Sequence, residues 1–142
     1  MTYQTDFYTW TQEQAELLKA GDFNSLDIDN LIEEIEDMGN SKADKLESHL
    51  RVLLMHLLKW QYQPGKNFGR SWLLSIVEQR LQIKKTLKKN PGLKPKLPEL
   101  IVDAYELALI QAEKETGISG KLFPPECPWT FEQLIDEQFF PD

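Results

Sequence analysis

The feature that most constrains this chain is a row of apolar side chains, Leu46, Leu50, Leu53, Leu57 and Trp60, separated alternately by four and three residues. That alternation follows the 3.6-residue turn of an α-helix and places all five on one face. It predicts a helix from about Lys42 to Tyr62, stopped by Pro64 and Gly65, with its leucine face in a bundle core. No stretch of the chain shows a competing period-two alternation.

Flanking segments supply the helices that such a face needs. A helix is expected from Asp6, with Thr5 or Asp6 as its cap, through Trp10, Leu17 and Leu18 to Ala20, where Gly21 is a stop. A second follows Asp27 and places Ile28, Leu31, Ile32, Ile35 and Met38 on one stripe, with Glu33, Glu34, Glu36 and Asp37 mostly on the other side. Gly39 interrupts that pattern, and Ser41 with Asp44 resembles a capping box, so the chain is expected to kink or restart there. Beyond Ser71, Leu73, Ile76, Val77, Ile83 and Leu87 form a further helical row, ended by Asn90, Pro91 and Gly92. Pro98 suits the first turn of another helix, in which Ile101, Ala104, Tyr105, Ala108 and Ala112 share a face before Gly117. The segment after Ile118 carries Pro124, Pro125 and Pro128 but also Phe123, Trp129, Phe131, Phe139 and Phe140. So many aromatics imply a tail packed on the bundle, with Thr130 and Gln133 capping one short helix. The expectation is an all-α fold: four to five main helices and a packed aromatic C-terminal tail, in one domain over residues 1–142.

With 142 residues, of which 41% are hydrophobic, such a domain can bury a core without staples. No apolar run approaches the roughly 20 residues needed to span a bilayer, and no targeting segment is visible, so a cytoplasmic protein away from the membrane is expected. The single cysteine, Cys127, has no partner for a disulfide and no neighbouring histidine for zinc, and reads as a plain loop thiol. The net charge of −7 conceals a segregation along the chain. Residues 1–58 hold 12 acids and 4 bases, residues 59–96 hold 1 and 10, and residues 97–142 hold 10 and 2. The simplest account is self-neutralisation, with antiparallel helices setting the basic middle against its acidic flanks.

Four stretches carry a resemblance: Asp6-Phe7-Tyr8-Thr9-Trp10; the run from Asn30 to Gly39, reading NLIEEIEDMG; the run from Leu53 to Pro64, reading LLMHLLKWQYQP; and Arg70-Ser71-Trp72. Together they make the chain similar to domain-of-unknown-function family twenty-nine, a bacterial family common in photosynthetic bacteria. The resemblance covers nearly the whole chain. It implies an all-α fold and carries no assigned catalytic or binding residues.

Candidate chemistry therefore rests on the residues themselves. His49 and His56 are seven apart on one helical face and could join Glu33, Glu34 or Asp37 around a metal ion. The chain lacks the Glu-x-x-His pairs of di-metal bundles, and a rim histidine bonded to a carboxylate fits the same pattern, so no metal or other cofactor is expected. Arg51 and His56 have the spacing of the helical ribonucleases of the higher-eukaryote and prokaryote nucleotide-binding group, where an arginine and a proton-exchanging histidine meet a scissile phosphate. Five residues apart, they project about 140° from each other on one helix, so a joint site needs dimerisation or side-chain reach. The basic, aromatic stretch offers Lys66, Arg70, Lys84, Lys85, Lys88 and Lys89 to phosphates, with Lys59, Trp60, Tyr62, Phe68 and Trp72 interleaved. Trp60 and Trp72 fit core positions better than stacking platforms, and the terminal lysines also suit the helix dipole. Arg80 interrupts an apolar row, which predicts an ion pair with Glu106 or Glu34. There is no phosphate loop, nucleophile elbow or cysteine–histidine pair.

These signals leave enzymatic activity undecided and favour a non-enzymatic protein-interaction module with an unidentified protein partner or with itself. Self-association would use Phe7, Tyr8 and Trp10 and give a dimer. The alternative is a nucleic-acid-binding or RNA-cleaving helical protein built on residues 59–96 with Arg51 and His56.

Overall fold

The computed structural model describes residues 2–63 and 69–142; Pro64, Gly65, Lys66 and Phe68 lie outside them. Among the described residues the regular structure is helical, without a strand: α1 (Thr2–Thr5), α2 (Phe7–Ala20), α3 (Ile28–Tyr62), α4 (Gly69–Lys89), α5 (Leu97–Thr116) and α6 (Phe131–Ile135). Short 3-10 turns lie at Phe23–Ser25, Pro91–Lys96 and Gly120–Leu122. The chain divides into two compact units, residues 1–40 and 41–142.

In the first unit, the Asp6 carboxylate caps α2 by accepting from the Thr9 amide at 3.0 Å, and Gly21 ends the helix at φ 72°, where a side chain would be strained. Trp10 is buried, edge-on to Tyr3 and stacked on Phe7. Its indole N–H donates to Asp27 Oδ2 at 2.9 Å, and Gln14 Oε1 accepts from the Asp27 amide at 2.8 Å. The start of α3 is thereby tied to α2. Asn30 and Trp10, donating to the Asp27 carboxyl, hold its pKa below the usual range. Because Trp10 is interior, only Phe7 and Tyr8 of the expected self-association trio face solvent.

Gly39 does not divide α3. The helix runs unbroken from Ile28 to Tyr62, with Ser41 and Asp44 inside it rather than at a cap. A helical glycine costs only about 1 kcal/mol against alanine, less than abandoning the hydrogen bonds of a long helix.

The second unit holds the core. Leu46, Leu50, Leu53, Leu54, Leu57 and Leu58 of α3 pack with Ile76, Ile83 and Leu87 of α4, with Leu97, Leu100, Ala104, Tyr105, Ala108 and Ala112 of α5, and with Phe123 and Leu134. Each fully buried leucine contributes about 1.5–3 kcal/mol over an exposed one. Pro98 lies in the first turn of α5, Gly117 ends that helix at φ 75°, and the Thr130–Gln133 capping box opens α6. The tail packs as its aromatics predict: Phe123 lies edge-on to Tyr62, Phe140 meets Trp60 at 4.8 Å, and the Tyr105 hydroxyl donates to the Pro124 carbonyl at 2.7 Å.

Two expectations for α4 need correction. Leu73 and Val77 are exposed, because the inward row is Ile76, Arg80, Ile83 and Leu87. Arg80 forms no ion pair with Glu106 or Glu34. It is 2% exposed, and its guanidinium donates to the carbonyls of Leu134 at 2.7 Å, Gln133 at 3.4 Å and Phe139 at 2.7 Å, while lying over the Phe140 ring. A planar five-donor group suits several carbonyls at the end of a short helix, where backbone acceptors lack helical partners. Replacing it with an apolar side chain of similar length takes the donor from the Leu134 and Phe139 carbonyls, while Gln133 keeps the Asp136 amide. Arg80→Met should therefore lower unfolding free energy by about 3 kcal/mol in urea denaturation and remove hydrogen-exchange protection from residues 131–140. Arg80→Lys, a point charge without the fork, should recover only part of both.

Candidate functional site

The polar residues of α3 that face inward form the most unusual chemistry in the second unit. Lys59 is buried, and its ammonium meets Glu115 Oε1 at 2.9 Å while lying 4.2 Å from the centre of the Trp72 ring. Gln111 donates to the other Glu115 oxygen at 2.9 Å. The Lys59 hydrogen bond, then that from Gln111, draws the Glu115 pKa below the usual carboxylate value. One turn before Lys59, His56 is half-buried, and its Nδ1 has no hydrogen-bond partner among the described residues. Burial pushes its pKa down, the Lys59 charge adds to the effect, and Glu115 opposes it. His49 Nδ1 lies 2.7 Å from Gln79 Oε1, an acceptor, so the Nδ1–H tautomer makes this bond and leaves the buried Nε2 unpaired among the described residues.

The structure brings few of the expected constellations together. Arg51 lines a cleft of about 140 Å³ with Val52, Met55 and Gln111, and His56 is not among its walls. Glu34 accepts the Tyr3 hydroxyl at 2.6 Å, which raises the Tyr3 pKa, while Glu33 and Asp37 are exposed. No group of three or more His, Cys, Asp or Glu side chains placed to hold a metal ion occurs among the described residues. Trp60 and Trp72 are half-buried, engaged by Phe140 and Lys59 respectively. Cys127 is half-buried, with burial raising its thiol pKa and its Sγ 3.5 Å from the Trp129 carbonyl oxygen.

The basic stretch is split by the turn of α4. Arg70 is exposed near its start, and Lys66 is outside the described residues. Lys84 pairs with Glu137 at 3.5 Å and, with Lys88 and Lys94, borders a cleft against Phe131 and Ile135. Lys85 and Lys89 instead line a separate cleft of about 140 Å³ with Lys42 and Lys45 of α3 and with Gln82, Thr86 and Asn90. Sequence reasoning missed Lys42 and Lys45 because they lie in the segment counted as acidic. Their spacing of three, beside the leucine row, was the available signal. Of the self-neutralisation expected for the charge blocks, Lys59–Glu115, Lys84–Glu137 and the local pair Lys96–Glu99 are the ion pairs that join the basic middle to the following acidic block among the described residues.

The model of the family described as domain of unknown function DUF29 matches residues 2–140, and the chain belongs to that family. No curated protein and no solved structure matches it.

The buried pair and the imidazole each have a measurable consequence. Glu115→Ala leaves the Lys59 ammonium buried without a counter-charge and should cost about 3 kcal/mol by urea denaturation. Lys59→Met should cost less, because Glu115 is partly open to water. For His56, the unfolded chain takes up a proton near the usual imidazole pKa of about 6.5, above the folded value. Stability tied to the neutral ring is then complete above about pH 7 and is lost as pH falls through 6.5 toward the folded pKa. His56→Gln, which does not titrate, should flatten the slope of unfolding free energy between about pH 7 and pH 5.

Proposed function

We propose that the chain is a non-enzymatic protein-interaction module, acting in the cytoplasm, that engages a partner through the outer face of α4. The observation that carries this reading is that α4 is apolar on two faces. Ile76, Ile83 and Leu87 are buried, whereas Leu73, Leu74, Val77 and Leu81 form a second row with exposures of 39% to 52%. Single exposed leucines are ordinary on a folded surface. Four large apolar side chains spaced along two helical turns make the contiguous kind of patch that partners cover.

A second row of this kind lies on α3, where Ile28, Ile32, Ile35 and Met38 are 49% to 67% exposed. Both rows have the spacing by which an amphipathic helix is read in a groove or against another helix. No helix among the described residues is long and apolar enough to cross a membrane, so these rows do not belong to a spanning segment. The His56 Nδ1, unpaired among the described residues, is the feature that most favours chemistry instead, but His56 is not among the described walls of the Arg51 cleft.

In-cell photocrosslinking tests the reading, with a benzophenone amino acid at Val77 or Leu81 and, as controls on a polar exposed surface, at Glu99 or Asp103. The expected result is a discrete adduct from positions 77 and 81 only. An adduct of twice the chain mass identifies the partner as a second copy. Equal labelling from all four positions, or none from 77 and 81, removes the reading.

A further inference from the structure

We propose that the cleft between α3 and α4 bounded by Lys42, Lys45, Lys85 and Lys89 binds a compact, multiply charged phosphate, a di- or triphosphate group. Two helices each contribute two lysines, three residues apart on α3 and four apart on α4, and Gln82, Thr86 and Asn90 complete the walls. No acid lies within 4.0 Å of any of these four ammonium groups among the described residues, although Asp44, Glu47 and Glu78 belong to the same helices. Like charges at these spacings destabilise a helix, and here two such pairs face one cleft. The unliganded fold therefore carries a repulsion that a polyanion relieves.

Size and chemistry narrow the ligand. A volume of about 140 Å³ is several water molecules' worth, enough for linked phosphoryl tetrahedra. Among the described residues the walls contain no aromatic side chain to stack on a base. Lysine ammonium groups act on phosphate as point charges without the planar fork of arginine, which fits several oxygens spread over adjacent phosphoryl groups. The neutral walls add directional contacts. Asn90 Nδ2 donates to the Thr86 carbonyl at 2.9 Å and keeps a second amide hydrogen, and the Gln82 amide supplies further donors. Sequence distance hid this arrangement, since Lys42 and Lys45 lie some 40 residues from Lys85 and Lys89.

The test is isothermal titration of the full chain with inorganic pyrophosphate, tripolyphosphate and orthophosphate at moderate salt, then with ADP and ATP, and finally with a short single-stranded RNA. The expected result is one site that prefers pyrophosphate or tripolyphosphate to orthophosphate. Lys45→Gln/Lys89→Gln should weaken it at least tenfold, and the exposed pair Lys94→Gln/Lys121→Gln should leave it unchanged. Equal affinities for ADP and pyrophosphate mean that only the phosphates are held; tighter ADP or ATP binding identifies a nucleotide as the source of the group. Thermal melting separates binding from folding: without ligand the Lys45→Gln/Lys89→Gln variant should melt no lower than the wild type, and only the wild type should gain from pyrophosphate. Absence of pyrophosphate binding overturns the proposal. So does equal loss in both lysine pairs, or RNA binding that pyrophosphate fails to displace.

Discussion

The second unit depends on one buried guanidinium. Arg80 occupies a core position in α4, between Ile76 and Ile83, where an apolar residue would continue the row. Its charge is accommodated by oriented dipoles, since three backbone carbonyls accept from it and no carboxylate lies within ion-pair distance among the described residues. Burial lowers the pKa of the group, and the carboxylates of Asp136 and Glu137 oppose that shift. The backbone it holds carries Leu134, which is buried in the core, and lies beside Phe140, which packs on Trp60.

The second buried cation follows a different logic. Lys59 has a counter-charge in Glu115 and the face of Trp72, so a single residue of α3 is held by groups from α4 and α5. One turn away lies a half-buried imidazole, His56, whose Nδ1 has no hydrogen-bond partner among the described residues. Polar groups inside the bundle thus cluster along one side of α3, opposite in character to the leucines that fill the rest of the core. Such an arrangement fixes which helix neighbours which, since a leucine interface alone would tolerate sliding.

Much of this was legible because local rules and tertiary packing agree. The leucine row, the Gly21 and Gly117 stops, Pro98 at a helix start and the Thr130–Gln133 box all report local geometry, and local geometry is written in short windows of sequence. The failures arose where the deciding partner is distant. Gly39 does not restart the helix, because the residues on either side of it continue the same hydrogen-bonded run. Leu73 and Val77 fit a helical period, but a period does not say which of two apolar faces is covered. Arg80 was assigned a carboxylate partner because charge suggests opposite charge, whereas the fold supplies carbonyls from more than 50 residues away. The lysine cleft was invisible for the same reason. Charge counted along the chain divides Lys42 and Lys45 from Lys85 and Lys89, and the helix packing unites them.

The separation between Arg80 and its acceptors, 53 to 59 residues, also sets an order of events during synthesis. At about 5–20 residues per second, a ribosome needs roughly 3–12 seconds to advance from Arg80 to those carbonyls. Helices themselves form in about a microsecond, so α3, α4 and much of α5 have time to assemble around a guanidinium that still faces water. Solvent then serves as the placeholder for the tail. Until the tail is made, the guanidinium's donors have only water to bond, and the tail's carbonyls take the place of that water.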